Sequence, residues 1–199
     1  MTRLRRLRRS ELPIDCATLA RWLIGKHLLH ATAEGTAGGR IVETEAYVDG
    51  DAAGHAFIGP TARNASLFLR RGHAYVYFIY GMHTCVNVTA ETPGVGAGAL
   101  IRALEPLTGV ALMQARRGTL RHTDLARGPG RLAQALGITL ADDGHDLVAP
   151  GPLWLATGGD AARDVGTSVR IGISREAHRP LRFYERGNPH VSGPPALRR

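Results

Sequence analysis

The segment Arg40-Ile41-Val42-Glu43-Thr44-Glu45-Ala46-Tyr47 sets two carboxylates and a phenol at alternate positions. On a strand successive side chains point to opposite faces, so Glu43, Glu45 and Tyr47 share one face, with the carboxylates about 7 Å apart. That separation suits acid/base work, including hydrolysis of a glycosidic bond. A solvent-facing strand carries the same pattern, so the segment alone leaves both readings open. Four of the five tyrosines, Tyr47, Tyr75, Tyr77 and Tyr80, fall within 34 positions. Tyr75 and Tyr77 share a strand face, which fits core packing as well as a platform for stacking bases. Tyr80 precedes Gly81 at a turn, where a bulky ring buries little of its own surface; a wedge filling a gap in a base stack is one reason to place it there.

Other chemistries find little support. Nine histidines include no His-Glu-x-x-His, and Cys16 and Cys85 are 69 positions apart, so neither a metal site nor a disulfide framework is expected. Asp142-Asp143-Gly144-His145-Asp146 is too short for a calcium loop and reads as a turn. There is no Gly-x-Ser-x-Gly, and His83 and Cys85 on one strand read as coincidence. Gly94, Gly96 and Gly98 lack the Gly-x-Gly-x-x-Gly spacing of a phosphate cradle. The net charge of +8 points to a polyanion, nucleic acid first. Lys26 is the only lysine, so arginine supplies 24 of the 25 basic side chains. A GC-rich genome explains that bias equally well; either way arginine clamps phosphate and cannot act as an amine nucleophile.

The elements that must position these residues follow from pattern and punctuation. Residues 1–12 read as a solvated basic tail. A helix is expected from the N-cap Asp15 to Gly25. Strands are expected at His27–Ala31, Gly39–Tyr47, Ala99–Glu105, Leu153–Leu155, Ser168–Ile173 and Leu181–Tyr184. Ala74–Ile79 and His83–Thr89 read as a β-hairpin. Leu107–Arg117 and Arg131–Leu136 read as helices, and Asp49–Asn64 as a long polar loop of the functional or disordered kind. Strands in adjacent pairs outnumber helices, which predicts one α+β domain, residues 13–192, with a mostly antiparallel sheet, followed by a flexible tail at 193–199. No apolar run is long enough to cross a membrane and no h-region follows the basic N-terminus. A cytoplasmic, nucleoid-associated, bacterial-type monomer without a cofactor is therefore expected.

Several blocks in order then carry a resemblance. They are Ile41-Val42-Glu43-Thr44-Glu45-Ala46-Tyr47, Gly59-x-Thr61-x-Arg63-Asn64, Tyr75-Val76-Tyr77-x-x-Tyr80-Gly81-Met82-x-x-Cys85-x-Asn87 and Ile101-Arg102-Ala103-Leu104-Glu105-Pro106. With Gly128-Pro129-Gly130-Arg131-Leu132 and Pro180-Leu181-Arg182-Phe183-Tyr184, they make the chain similar to the alkyladenine (3-methyladenine) DNA glycosylases over Leu19 to Val191. The resemblance implies a curved sheet surrounded by helices with a protruding hairpin. It also implies an enzyme that flips alkylated or deaminated purines out of duplex DNA and hydrolyses their N-glycosidic bond. Glu45 would be the general base, with Arg102 holding it and the water. Tyr47, His55 and Tyr77 would sandwich the base, with Asn87 at its exocyclic edge. Tyr80 and Met82 would fill the vacated stack, and Arg63, Asn64 and Arg131 would contact phosphates. Glu43 has no such role. Pro60 and His83 depart from the family's pattern. Two other classes stay in view: a non-enzymatic lesion-binding protein of the same fold, and an RNA- or nucleoside-directed hydrolase using Glu43 and Glu45 as a pair.

Overall fold

The computed structural model describes residues 4–79, 81, 83–158 and 164–197. Within them the strands are β1 (Arg5–Arg6), β2 (His27–Thr32), β3 (Gly35–Tyr47), β4 (Ala74–Ile79), β5 (His83–Thr89), β6 (Gly98–Thr108), β7 (Leu153–Thr157), β8 (Val165–Ser168) and β9 (Arg182–Glu185). The α-helices are α1 (Cys16–Leu23), α2 (Val110–Arg117) and α3 (Pro129–Leu136). The strands form one curled antiparallel sheet in the order β1-β7-β2-β3-β6-β5-β4, with β9 pairing the far half of β3 and β8 pairing β9. The α+β class and the mostly antiparallel sheet expected from pattern are what the fold shows.

Local chemistry explains the helices. Asp15 caps α1 by accepting from the Thr18 N–H at 2.7 Å, and Cys16, Leu19, Ala20 and Leu23 form its buried stripe. That stripe packs on β3 and β6. Pro129 opens α3, where its missing N–H costs nothing, and Gly137 closes it in the left-handed conformation at φ 71°. Leu132, Ala133 and Leu136 of α3 join Ile101, Leu104, Val86 and Leu155 from the sheet in the main core.

Four expectations need correction. The strand expected to stop at Pro106 continues to Thr108, Pro106 sitting opposite Gly39 at an irregularity in the ladder. The following helix therefore starts at Val110 rather than Leu107, after Gly109 at φ 66°; a Cβ there would meet the Thr36 carbonyl oxygen at 2.2 Å. The strand expected at Ser168–Ile173 spans only Val165–Ser168, because the backbone beyond it turns to side-chain partners, the Ile171 N–H donating to Glu45. The N-terminal arm is packed against the sheet rather than wholly solvated. Arg5 and Arg6 pair with β7, Leu7 and Leu12 are buried, and the Arg6 guanidinium lies 4.9 Å from the Trp154 ring centroid. Leu7 and Leu12 supply the apolar burial that the charge-rich tail conceals in sequence.

Candidate active site

The β4–β5 hairpin is built by alternation. Its register sets Tyr75 opposite Asn87, Tyr77 opposite Cys85 and Ile79 opposite His83, so these six share one face. The other face sends Ala74, Val76, Val86 and Val88 into the core. The six-residue face forms one wall of a cavity of about 410 Å³. Leu100 and Arg102 of β6 continue that wall; Tyr47 at the end of β3, His55, Pro129-Gly130 and residues 171–173 also line the cavity. Gly130 permits the approach of α3, since a Cβ there would meet the His83 ring at 2.9 Å.

Three rings meet in this cavity's wall. His55 stands edge-on to Tyr77 with centroids 4.5 Å apart and is 2.8 Å from the Tyr75 hydroxyl through Nδ1. Tyr75 and Tyr77 stack at 5.3 Å. Burial, then the Arg63 charge, lowers the His55 pKa, which favours the neutral ring. Burial pushes the Tyr75 phenol up to about 12 and holds Tyr47 and Tyr77 well above the usual phenol range, so all three stay protonated.

The two carboxylates diverge. Both are fully buried, which disposes of the solvent-facing reading. Glu43 Oε1 accepts from Arg102 Nε at 2.8 Å, Arg182 Nε at 2.8 Å and the Ser192 hydroxyl at 2.9 Å, and its Oε2 accepts from the Ser192 N–H at 2.6 Å. Burial pushes its pKa up, but the two guanidiniums and these hydrogen bonds outweigh that, so it lies below the usual carboxylate range. Glu45 Oε1 accepts from the Ile171 N–H at 2.7 Å; its Oε2 accepts from the Tyr47 hydroxyl at 3.0 Å and lies 3.2 Å from Arg102 Nη1. Here burial prevails over Arg102 and the Ile171 bond, and the pKa is raised. Two like groups whose surroundings drive their pKa values apart divide the labour: one stays ionised as an anchor and the other suits a proton acceptor. A carboxylate has about four acceptor sites. Two hydrogen bonds and the Arg102 charge contact leave acceptor capacity on Glu45.

Of the expected base-binding residues, Tyr47, His55, Tyr77 and Asn87 all line the cavity, Asn87 donating its amide to the Tyr75 carbonyl oxygen at 3.1 Å. Arg102 bridges the two glutamates. Arg63 is exposed and donates to the Phe78 carbonyl oxygen, while Arg131 is exposed on α3 next to the cavity-lining Gly130. Asn64 is different. It is buried, and its amide is spent inside its own loop, accepting from Thr61 and donating to the His55 and Gly59 carbonyl oxygens. It shapes the loop that carries His55 and is not placed to meet a phosphate. Tyr80 and Met82 lie outside the described residues. Sequence reading missed Arg182 and Ser192, the other partners of Glu43, and the buried pair Asp51–Arg170. An arginine inside the apolar run Val169-Arg170-Ile171 was the available signal. Among the described residues no group of three or more His, Cys, Asp or Glu is placed to hold a metal ion.

Comparison with known proteins places the chain in a family. The family model described as "Methylpurine-DNA glycosylase (MPG)" matches residues 10–189. A protein of Mesorhizobium japonicum is 59% identical over 189 residues, covering 95% of this chain and 91% of the relative. One from Paraburkholderia phytofirmans is 50% identical over 191 residues, covering 96% and 90%. One from Methanoculleus marisnigri is 48% identical over 182 residues, covering 89% and 94%. All three bear the name "Putative 3-methyladenine DNA glycosylase".

Proposed function

The chain belongs to the methylpurine-DNA glycosylase family, and from that premise we propose a monofunctional enzyme that takes a damaged purine out of duplex DNA and hydrolyses its N-glycosidic bond. One observation carries the reading. A buried carboxylate with a raised pKa, Glu45, stands behind three residues, Tyr47, Arg102 and Ile171, that themselves line an aromatic-walled cavity.

The chemistry follows from that arrangement. An unstacked purine entering the cavity exchanges base stacking for contact with Tyr47, His55 and Tyr77. Water accepted by Glu45 gives up a proton to that carboxylate as its oxygen bonds to the sugar's anomeric carbon. The glycosidic bond breaks with its electron pair going to the purine, and the strand keeps an abasic site. An alkylated cationic purine leaves as a neutral base without a proton from the protein. Arg102 keeps Glu45 oriented, and the raised pKa makes it a stronger base than an ordinary glutamate. Glu43, its oxygens taken by Arg102, Arg182 and Ser192, is not a second catalytic carboxylate. Exposed Arg63 and Arg131 flank the cavity and suit phosphates. Tyr80 and Met82 are assigned the vacated stack.

Duplexes carrying one 7-methylguanine, hypoxanthine or ethenoadenine, incubated with the protein and heated in alkali, test this reading. Strand breaks at one or more lesions and none at undamaged purines are expected. Tight lesion binding without any abasic site would make the protein a lesion binder instead.

A further inference from the structure

Arg170 belongs to none of the motifs above, yet its side chain is fully buried against the candidate site. Nη1 donates to Asp51 Oδ2 and, at 3.0 Å, to the Ala46 carbonyl oxygen; Nη2 donates to Asp51 Oδ1 at 3.1 Å. The guanidinium carbon lies 4.6 Å from the Tyr47 ring centroid. Asp51, equally buried, accepts from the Ala53 N–H at 3.0 Å, and its carbonyl accepts from the Gly54 N–H at 2.8 Å, immediately before His55. The next residue after Arg170 is Ile171, whose N–H donates to Glu45.

The geometry points to Arg170 as a positioning residue that sets three parts of the site at once: the Tyr47 stacking ring, the turn that carries His55, and the N–H that holds Glu45. This rests on the function proposed above. One further feature argues against a purely structural pair. Among the described residues the buried Arg170 Nε has no hydrogen-bond partner, an arrangement that lowers stability. Laying the guanidinium plane along Tyr47 while its fork grips Asp51 accounts for that sacrifice. A side chain with a point charge cannot reproduce it, since lysine lacks both the plane and the fork. Loose placement of reacting groups by about 1 Å costs on the order of 10²-fold in rate.

The test is Arg170→Lys, read three ways: thermal unfolding, the titration of the Glu45 side-chain carbon by NMR in the free protein, and single-turnover base release from a lesion duplex. Arg102, Glu43, Tyr47 and the Ile171 N–H all face Glu45, so loss of the Ile171 bond alone moves its midpoint upward. A folded variant with the Glu45 midpoint raised and base release slowed about 10- to 100-fold is expected. A folded variant with both unchanged overturns the assignment. If Arg170→Lys does not fold, the double variant Asp51→Leu/Arg170→Met removes both buried charges, a replacement that commonly preserves stability. That variant should fold and show the same slowing and shift; wild-type rate and midpoint would overturn the assignment equally. Should the unaltered protein release no base at all, the proposed function fails, while the NMR titration still decides whether Arg170 positions Glu45.

Discussion

Replacing Glu43 by glutamine should damage the fold far more than the same change at Glu45, two residues away on the same strand face. The Glu43 carboxylate accepts four hydrogen bonds, two of them from the guanidiniums of Arg102 and Arg182 at 2.8 Å, with no exposed surface. An amide keeps one acceptor oxygen but turns an NH₂ toward donors and removes the charge facing two buried cations. Breaking a buried ionic cluster by deleting one partner costs about 3–5 kcal/mol. At roughly 2–4 °C per kcal/mol for a chain of this size, Tm should fall by about 6–20 °C. The pKa directions give the sign with pH. The folded-state value of Glu43 lies below its ordinary one, so its contribution is complete above the unfolded value and fades as pH falls through the folded one. The gap between Glu43→Gln and the unaltered protein should therefore narrow in acid. Glu45, whose pKa is raised, is ionised at some cost to the fold, so Glu45→Gln should leave Tm unchanged or higher at pH 7. Circular dichroism melts of both variants at pH 7 and pH 4 measure this. A Glu43→Gln protein within about 2 °C of the unaltered one at pH 7 would refute the anchor role, as would a gap that widens in acid.

Two further predictions concern DNA and reaction type. Arg63→Ala and Arg131→Ala should each lower the slope of log affinity against log salt by about one unit on undamaged duplex, since each phosphate contact releases condensed counterions; unchanged slopes in a titration monitored by fluorescence anisotropy would remove both from the interface. Lys26 lies outside the cavity lining, its ammonium 4.5 Å from the Trp22 ring centroid, with burial lowering its pKa. Borohydride added during turnover should trap no protein–DNA adduct, and an adduct lost in Lys26→Ala would move the nucleophile there.

Alternation made the hairpin legible: the spans Ala74–Ile79 and His83–Thr89 follow from β-branched and aromatic residues on either side of Tyr80-Gly81. The shared face of Glu43, Glu45 and Tyr47 was equally legible from alternation, and it survives the ladder irregularities on either side of Glu43: Arg102 meets both carboxylates and Tyr47 donates to Glu45. Burial of the two glutamates was not legible, since it depends on Arg102 and Arg182, 59 and 139 positions beyond Glu43. Nothing local distinguishes such carboxylates from solvated ones. The same limit hid Arg170, whose partner Asp51 is 119 positions away in a stretch that reads as polar loop. Asn64 misled in the opposite direction. An asparagine beside an arginine in a polar loop suits a phosphate, but its amide geometry matched three carbonyl and amide groups within ten residues of itself. The expected strand at Ser168–Ile173 failed for a related reason: its apolar composition favours a ladder, while Glu45 claims the Ile171 N–H.

Single-turnover base release by Glu45→Gln from a duplex with one 7-methylguanine, alongside its affinity for that duplex, tests the central claim most directly. Glutamine cannot take the proton from water, so release should slow by about 10²-fold or more while lesion binding persists. Base release at the rate of the unaltered protein would contradict the account and take the catalytic role from Glu45.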